Sequence, residues 1–129
     1  MGLGASAVAN EAANTALKTA LRNPSRVLID VRSSAEFSAR KIQGSLNLEK
    51  ATKEGKLPKD TSVPIIAYCA SGNRVRSAIP RLEAAGYQNV LNGVSIDLVD
   101  KLMKDIATED RNKELGGIKV AATPKKEDS

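Results

Sequence analysis

Residues 63–69 read Val-Pro-Ile-Ile-Ala-Tyr-Cys, an apolar run of strand length that ends on the chain's only cysteine. A short polar loop follows, Ala70-Ser71-Gly72-Asn73, then Arg74. From Val75 the apolar residues change period: Val75, Ala78, Ile79, Leu82 and Ala85 follow i, i+3, i+4, i+7 and i+10, the stripe of an amphipathic helix. Gly86 terminates it, and Pro80 inside it predicts a kink, because proline removes a backbone hydrogen bond. Pro64, without an N–H, belongs at the beginning of its strand.

A second apolar run, Val27–Val31, is broken only by Asp30. Such runs suit strands buried on both faces of a parallel sheet. Around them the chain alternates strand and helix signals. Asn10 can cap a helix that bears Ala13, Leu17, Ala20 and Leu21 on one stripe and stops at Asn23-Pro24-Ser25. Ser33 or Ser34 caps a short helix with Glu36 and Phe37. Residues 42–48 form a turn into a brief strand, and 49–62 a charged surface connection with about one helical turn. Asn89-Val90-Leu91 reads as the last strand, Asn92-Gly93 as a turn, and Ser95 as the cap of a helix with Leu98, Leu102 and Ile106 inward, widened by Val99 and Met103. This alternation predicts an α/β domain: a central parallel sheet with helices on both faces. The expected boundaries are a disordered start over 1–9, one domain over 10–107 and a charged, mostly disordered tail over 108–129.

The position of Cys69 carries the chemistry. Ligands of such sheets sit at the carboxyl ends of the strands. A thiol there, just before a helix, meets several converging backbone N–H groups and the positive end of the helix dipole, which favour the thiolate over the free thiol of pKa about 8.5. Ionisation at neutral pH requires roughly 2.7 kcal/mol of such stabilisation. Composition narrows the alternatives. The chain has no histidine, which excludes Cys–His and Ser–His dyads and most zinc sites. With one cysteine no internal disulfide forms and no resolving thiol exists. The net charge of +5 comes from scattered Lys and Arg, and with three aromatic residues nothing alternates with them to stack on bases, so nucleic acid is not an expected partner. No stretch of about 18 apolar residues is present to span a membrane. Met1–Ser6 fits the myristoylation pattern and Ala7-Val8-Ala9 a signal-peptidase site without its preceding regions, and a truncated or engineered start is preferred to either.

Three blocks, in order, resemble a single-domain rhodanese. They are Leu28-Ile29-Asp30-Val31-Arg32 followed by Glu36-Phe37; Ile42-Gln43-Gly44-Ser45-Leu46-Asn47; and Tyr68–Arg74 followed by Leu82, Gly86-Tyr87 and Val90. The resemblance implies a three-layer rhodanese-like fold and a sulfurtransferase. Cys69 would take the outer sulfur of thiosulfate or a persulfide donor, hold it as a persulfide, and pass it to cyanide, a thiol or a protein acceptor, without a cofactor or metal. By the same resemblance Ala70, Ser71, Gly72, Asn73, Arg74 and Val75 bind the substrate, Arg74 closes the loop, and Asp30 and Arg32 support the scaffold. Four residues separate Cys69 from Arg74. The related phosphatases and arsenate reductases have five, a wider cradle for a tetrahedral oxyanion. The chain also departs from the family: Lys41 stands for a usual histidine, Ala70 and Ser71 for loop cations, and Gly93-Val94-Ser95 for a Gly-Gly and tryptophan. The alternative is therefore a rhodanese-fold binding or regulatory module with little turnover. The expected form is a monomer or weak dimer in the cytoplasm, or in the periplasm or an organelle if the chain is a processed fragment.

Overall fold

The computed structural model describes residues 2–114, with the side chains of 11–114. The elements in order are α1 (Gly2–Leu21), β1 (Val27–Asp30), α2 (Ser34–Ala39), β2 (Leu46–Asn47), α3 (Leu48–Glu54), β3 (Pro64–Cys69), α4 (Asn73–Ala84), β4 (Asn89–Ser95) and α5 (Ile96–Glu114). The four strands form one parallel sheet in the order β2-β1-β3-β4. From β1 the chain goes outward to β2, then returns past β1 to β3. The sheet therefore reverses its direction of growth between β1 and β3, and a crevice opens beyond their carboxyl ends.

Strand alternation sorts the core into two layers. Leu28, Ile66 and Tyr68 pack with Leu17, Leu21, Ile96, Val99 and Leu102, so α1 and α5 cover one face. Ile29, Ile65, Ala67 and Cys69 pack with Leu48, Val75, Ala78 and Leu82, so α3 and α4 cover the other. Cys69 thus points to the α3/α4 side of the carboxyl edge.

The boundaries differ from the sequence expectation in several places. The first helix begins at Gly2, not Asn10, and takes in most of the segment expected to be disordered. Ala5, Ala7 and Ala9 are good helix formers and no proline intervenes to stop the helix. Ala13, placed on its inner stripe, is exposed, whereas Leu17, Ala20 and Leu21 are buried. The 49–62 connection holds α3, a full seven-residue helix capped by the Asn47 side chain and ended by Gly55 in the left-handed conformation. The last strand does not stop at Leu91: β4 runs through Asn92-Gly93 to Ser95 with a register shift opposite Ala67 and Tyr68. The helix α5 continues to Glu114, seven residues past the expected domain edge at 107; residues 115–129 of the expected tail lie outside the described residues. The helix α4 runs through Pro80 to Ala84.

Candidate active site

Hydrogen bonding places the sulfur at the head of α4. Gly72 is the N-cap residue of that helix, in the left-handed conformation (φ +98°), and no side chain caps the helix. The first N–H groups of any helix lack intrahelical partners. Here the Cys69 sulfur meets them. Gly72 N–H donates to Sγ at 2.8 Å. Burial pushes the thiol pKa up, but the backbone N–H groups of Val75, Gly72, Ser71 and Arg74 more than offset it and hold the thiol below its ordinary 9.0. The glycine is required because its φ of +98° disfavours a side chain, and a Cβ there would lie 3.1 Å from Val94 Cγ1.

Of the residues expected to bind substrate, Gly72 bonds the sulfur through its main-chain N–H, and the N–H groups of Ser71, Arg74 and Val75 help to hold the thiol pKa down. Ala70 and Asn73 are exposed and give no bond to it. Cys69 itself is fully buried. Its thiol donates to the Val94 carbonyl at 3.6 Å.

Arg74 differs from the expectation. Its guanidinium does not bond the loop; it makes a two-pronged ion pair with Glu36 in α2, at 2.7 and 3.2 Å, with both side chains partly exposed. The Glu36 carboxyl is held down to about 2, chiefly by Arg74 and then by the Ser33 backbone and hydroxyl. Ser33 and Glu36 form a capping box at the start of α2. Glu36, which the sequence places in a short helix, is therefore also a residue that borders the site. Its capping box is legible in the Ser-x-x-Glu spacing, but its partner 38 residues away is not.

Asp30 and Arg32 lie beneath this edge. Asp30 is fully buried and Arg32 nearly so. The Arg32 guanidinium donates to both Asp30 oxygens at 2.7 to 3.1 Å, and to the Arg40 carbonyl at 2.5 Å. Asn47 Nδ2 donates to the Asp30 and Arg32 carbonyls. The network joins β1, β2 and the end of α2, and neither charged group reaches the sulfur. Tyr68, next to Cys69, points the opposite way, and burial pushes its hydroxyl up to about 12.

Val94 is a site residue that sequence reading missed. Its φ of +66° is left-handed, which is rare for a β-branched residue, and its side chain is the one large exposed hydrophobe among the described residues. The signal was present: Val94 stands where the resemblance places a glycine. Asn92 Oδ1 accepts its N–H and helps hold the conformation.

Among the described residues, no cluster of His, Cys, Asp and Glu is placed to hold a metal ion, and no helix is long and apolar enough to cross a membrane. The family model for the Rhodanese-like domain matches residues 13–93. A crystal structure of the Alr3790 protein from Anabaena sp. superimposes with a TM-score of 0.54 at 18% identity, over 78% of this chain and 91% of that one, a likeness of fold. No curated protein matches the chain.

Proposed function

Because the chain belongs to the rhodanese-like domain family, we propose that it is a sulfurtransferase working through a Cys69 persulfide. The observation that carries this reading is a single thiol at the head of α4, bonded by the Gly72 N–H at 2.8 Å and held below its ordinary pKa by the main-chain N–H groups of Val75, Gly72, Ser71 and Arg74. The Cys69 thiolate attacks the outer sulfur of thiosulfate or of a persulfide. The donor's sulfur–sulfur bond breaks, and its electron pair leaves with sulfite or the donor thiolate. The new terminal sulfur carries the negative charge, and the same amides stabilise it. An acceptor nucleophile, cyanide or a thiolate, then attacks that sulfur, and the electron pair returns to Cys69. Two half-reactions on one cysteine require no second thiol and no histidine, and they give ping-pong kinetics. The interval of four residues between Cys69 and Arg74 supports sulfur rather than a larger oxyanion as cargo.

A second reading, a binding module with little turnover, is favoured by two observations. The exposed loop positions Ala70 and Ser71 carry no charge to attract a dianion, and the sulfur has no exposed surface. Intact mass separates the two. After incubation with thiosulfate and without reductant, the sulfurtransferase gains the mass of one sulfur atom. Cyanide removes it, and Cys69→Ser never acquires it. No gain with thiosulfate, polysulfide or an organic persulfide would rule out the sulfurtransferase and leave the binding module.

A further inference from the structure

Between α3 and α4, beside the cradle, lies a cavity of about 480 Å3. Its floor is apolar, formed by Val31 and Leu48, and its walls carry Lys53 of α3 and Arg74 and Arg81 of α4. It begins at the carboxyl edge of the sheet, where Arg32 and Ser33 border it. Cys69 points to the same side of the sheet, packed in one cluster with Leu48 and Val75. Arg74 belongs to both places: its N–H stabilises the sulfur and its side chain lines the cavity.

The charges of this cavity are unevenly committed. Arg32 is tied to Asp30, and Arg74 to Glu36. Arg81 makes no ion pair among the described residues, and Lys53 meets Glu49, also in the lining, only at 3.8 Å with three-quarters of its side chain exposed. Arg81 lies seven residues after Arg74, which puts both on one face of α4 about 10 Å apart along its axis. Past Arg81 a smaller cavity of about 170 Å3 continues between the same helices, lined by Leu57, Leu82 and Ala85 together with Leu48, Thr52 and Arg81. The space is that of an organic ligand. Thiosulfate or cyanide would leave most of it empty.

We propose that this groove binds an organic anion, a small molecule with a carboxylate or phosphate on an aliphatic body, its charge held between Lys53 and Arg81. The proposal rests on the sulfurtransferase reading in one respect: if Cys69 carries sulfur, the ligand is the acceptor thiol, with its sulfhydryl at the Arg74 end. Its thiolate then attacks the terminal sulfur of the persulfide. A sulfur–sulfur bond forms on the ligand, the one on the protein breaks, and the electron pair returns to Cys69.

The test has one arm that needs no turnover. S-methylglutathione, its diethyl ester with both carboxylates masked, and inorganic phosphate are titrated into Cys69→Ser by NMR or calorimetry. The same titrations are made with K53A and R81A added. The expected result is binding of the tripeptide, weakened at least tenfold by K53A/R81A and by the ester, and weakened by salt. Inorganic phosphate should bind more weakly than the tripeptide; equal binding with the same dependence would mean that the aliphatic body contributes nothing and overturns the organic ligand. Loss of less than twofold in the double variant, or equal binding of the ester, overturns the proposal. In the second arm, with Cys69 intact, K53A/R81A raises KM for glutathione at least tenfold and leaves cyanide-dependent turnover unchanged. A wild-type protein that transfers no sulfur but shows the charge-dependent binding overturns the sulfurtransferase reading and keeps the groove.

Discussion

Gly72 and Val94 lie against each other beside the sulfur, and each has a positive φ. For Gly72 that conformation costs little; for alanine it is strained, and the added Cβ would press on Val94 Cγ1 at 3.1 Å. Gly72→Ala should therefore cost about 1 to 3 kcal/mol and turn one N–H away from the sulfur. The sign of the pH effect follows from Cys69. Its folded pKa lies below its unfolded value, so the cradle contributes stability above the unfolded pKa and loses it as pH falls through the folded one. Reactivity toward iodoacetamide should follow the thiolate in the same direction, with a midpoint below 9.0 in the wild type and a higher one in Gly72→Ala. An unchanged midpoint would remove Gly72 from the cradle. Val94→Gly has the opposite expectation. Relief of left-handed strain of about 1 to 3 kcal/mol, less the 0.5 to 1 kcal/mol entropic cost of glycine, leaves a gain of about 1 kcal/mol in chemical denaturation. The Val94 side chain covers the loop above a sulfur that has no exposed surface, so alkylation in this variant should be several-fold faster at equal pH. Equal rates would mean that another group covers the thiol.

At the scale of elements, β4 is where sequence pattern and structure diverge most. Asn92-Gly93 has the composition of a turn, but the strand runs through it. The reason is packing that local pattern does not encode. A Cβ on Gly93 would stand 2.8 Å from Ile66 Cγ2, 2.9 Å from Val99 Cγ2 and 3.2 Å from the Ala67 carbonyl oxygen. The glycine lets β3, β4 and α5 close on one another, and the register shift beside it brings the Val94 carbonyl to Cys69. Gly93→Ala should thus cost about 1 to 3 kcal/mol by overpacking, read as a lower midpoint in urea. A variant as stable as wild type would show that the β4 register can slide to make room. The elements that were legible carried their signal locally: the apolar runs of β1 and β3, the helical period of α4, and the lone thiol between them. The ion pair of Arg74 with Glu36 was not, because it joins two helices whose approach depends on the finished sheet.

Across the whole molecule, the family match over residues 13–93 ends before α5, one of the two helices that cover a face of the sheet. One face of the sheet is covered by α1 and α5, and α5 begins at Ile96, after the match ends. Ile96, Val99 and Leu102 are at most 3% exposed, and each large side chain removed from such a core costs about 2 to 5 kcal/mol. Truncation after Ser95 removes all three, a loss comparable with the 5 to 15 kcal/mol that stabilises a typical domain, and the chain should not fold. Truncation after Ala107 is different in kind. What it removes from the described residues is an exposed stretch that includes Glu109 and Asp110, the partners of Lys18 and Arg22 across α1. Exposed ion pairs contribute about 0 to 1 kcal/mol each and are screened by salt. The shorter chain should therefore fold, keep the chemistry of Cys69, and melt only a few degrees lower. Salt at about 1 M should bring the full-length chain toward the same Tm. If truncation after Ala107 instead abolishes the cooperative transition, α1 is held to the sheet by the outer turns of α5, and the working domain extends to at least Glu114.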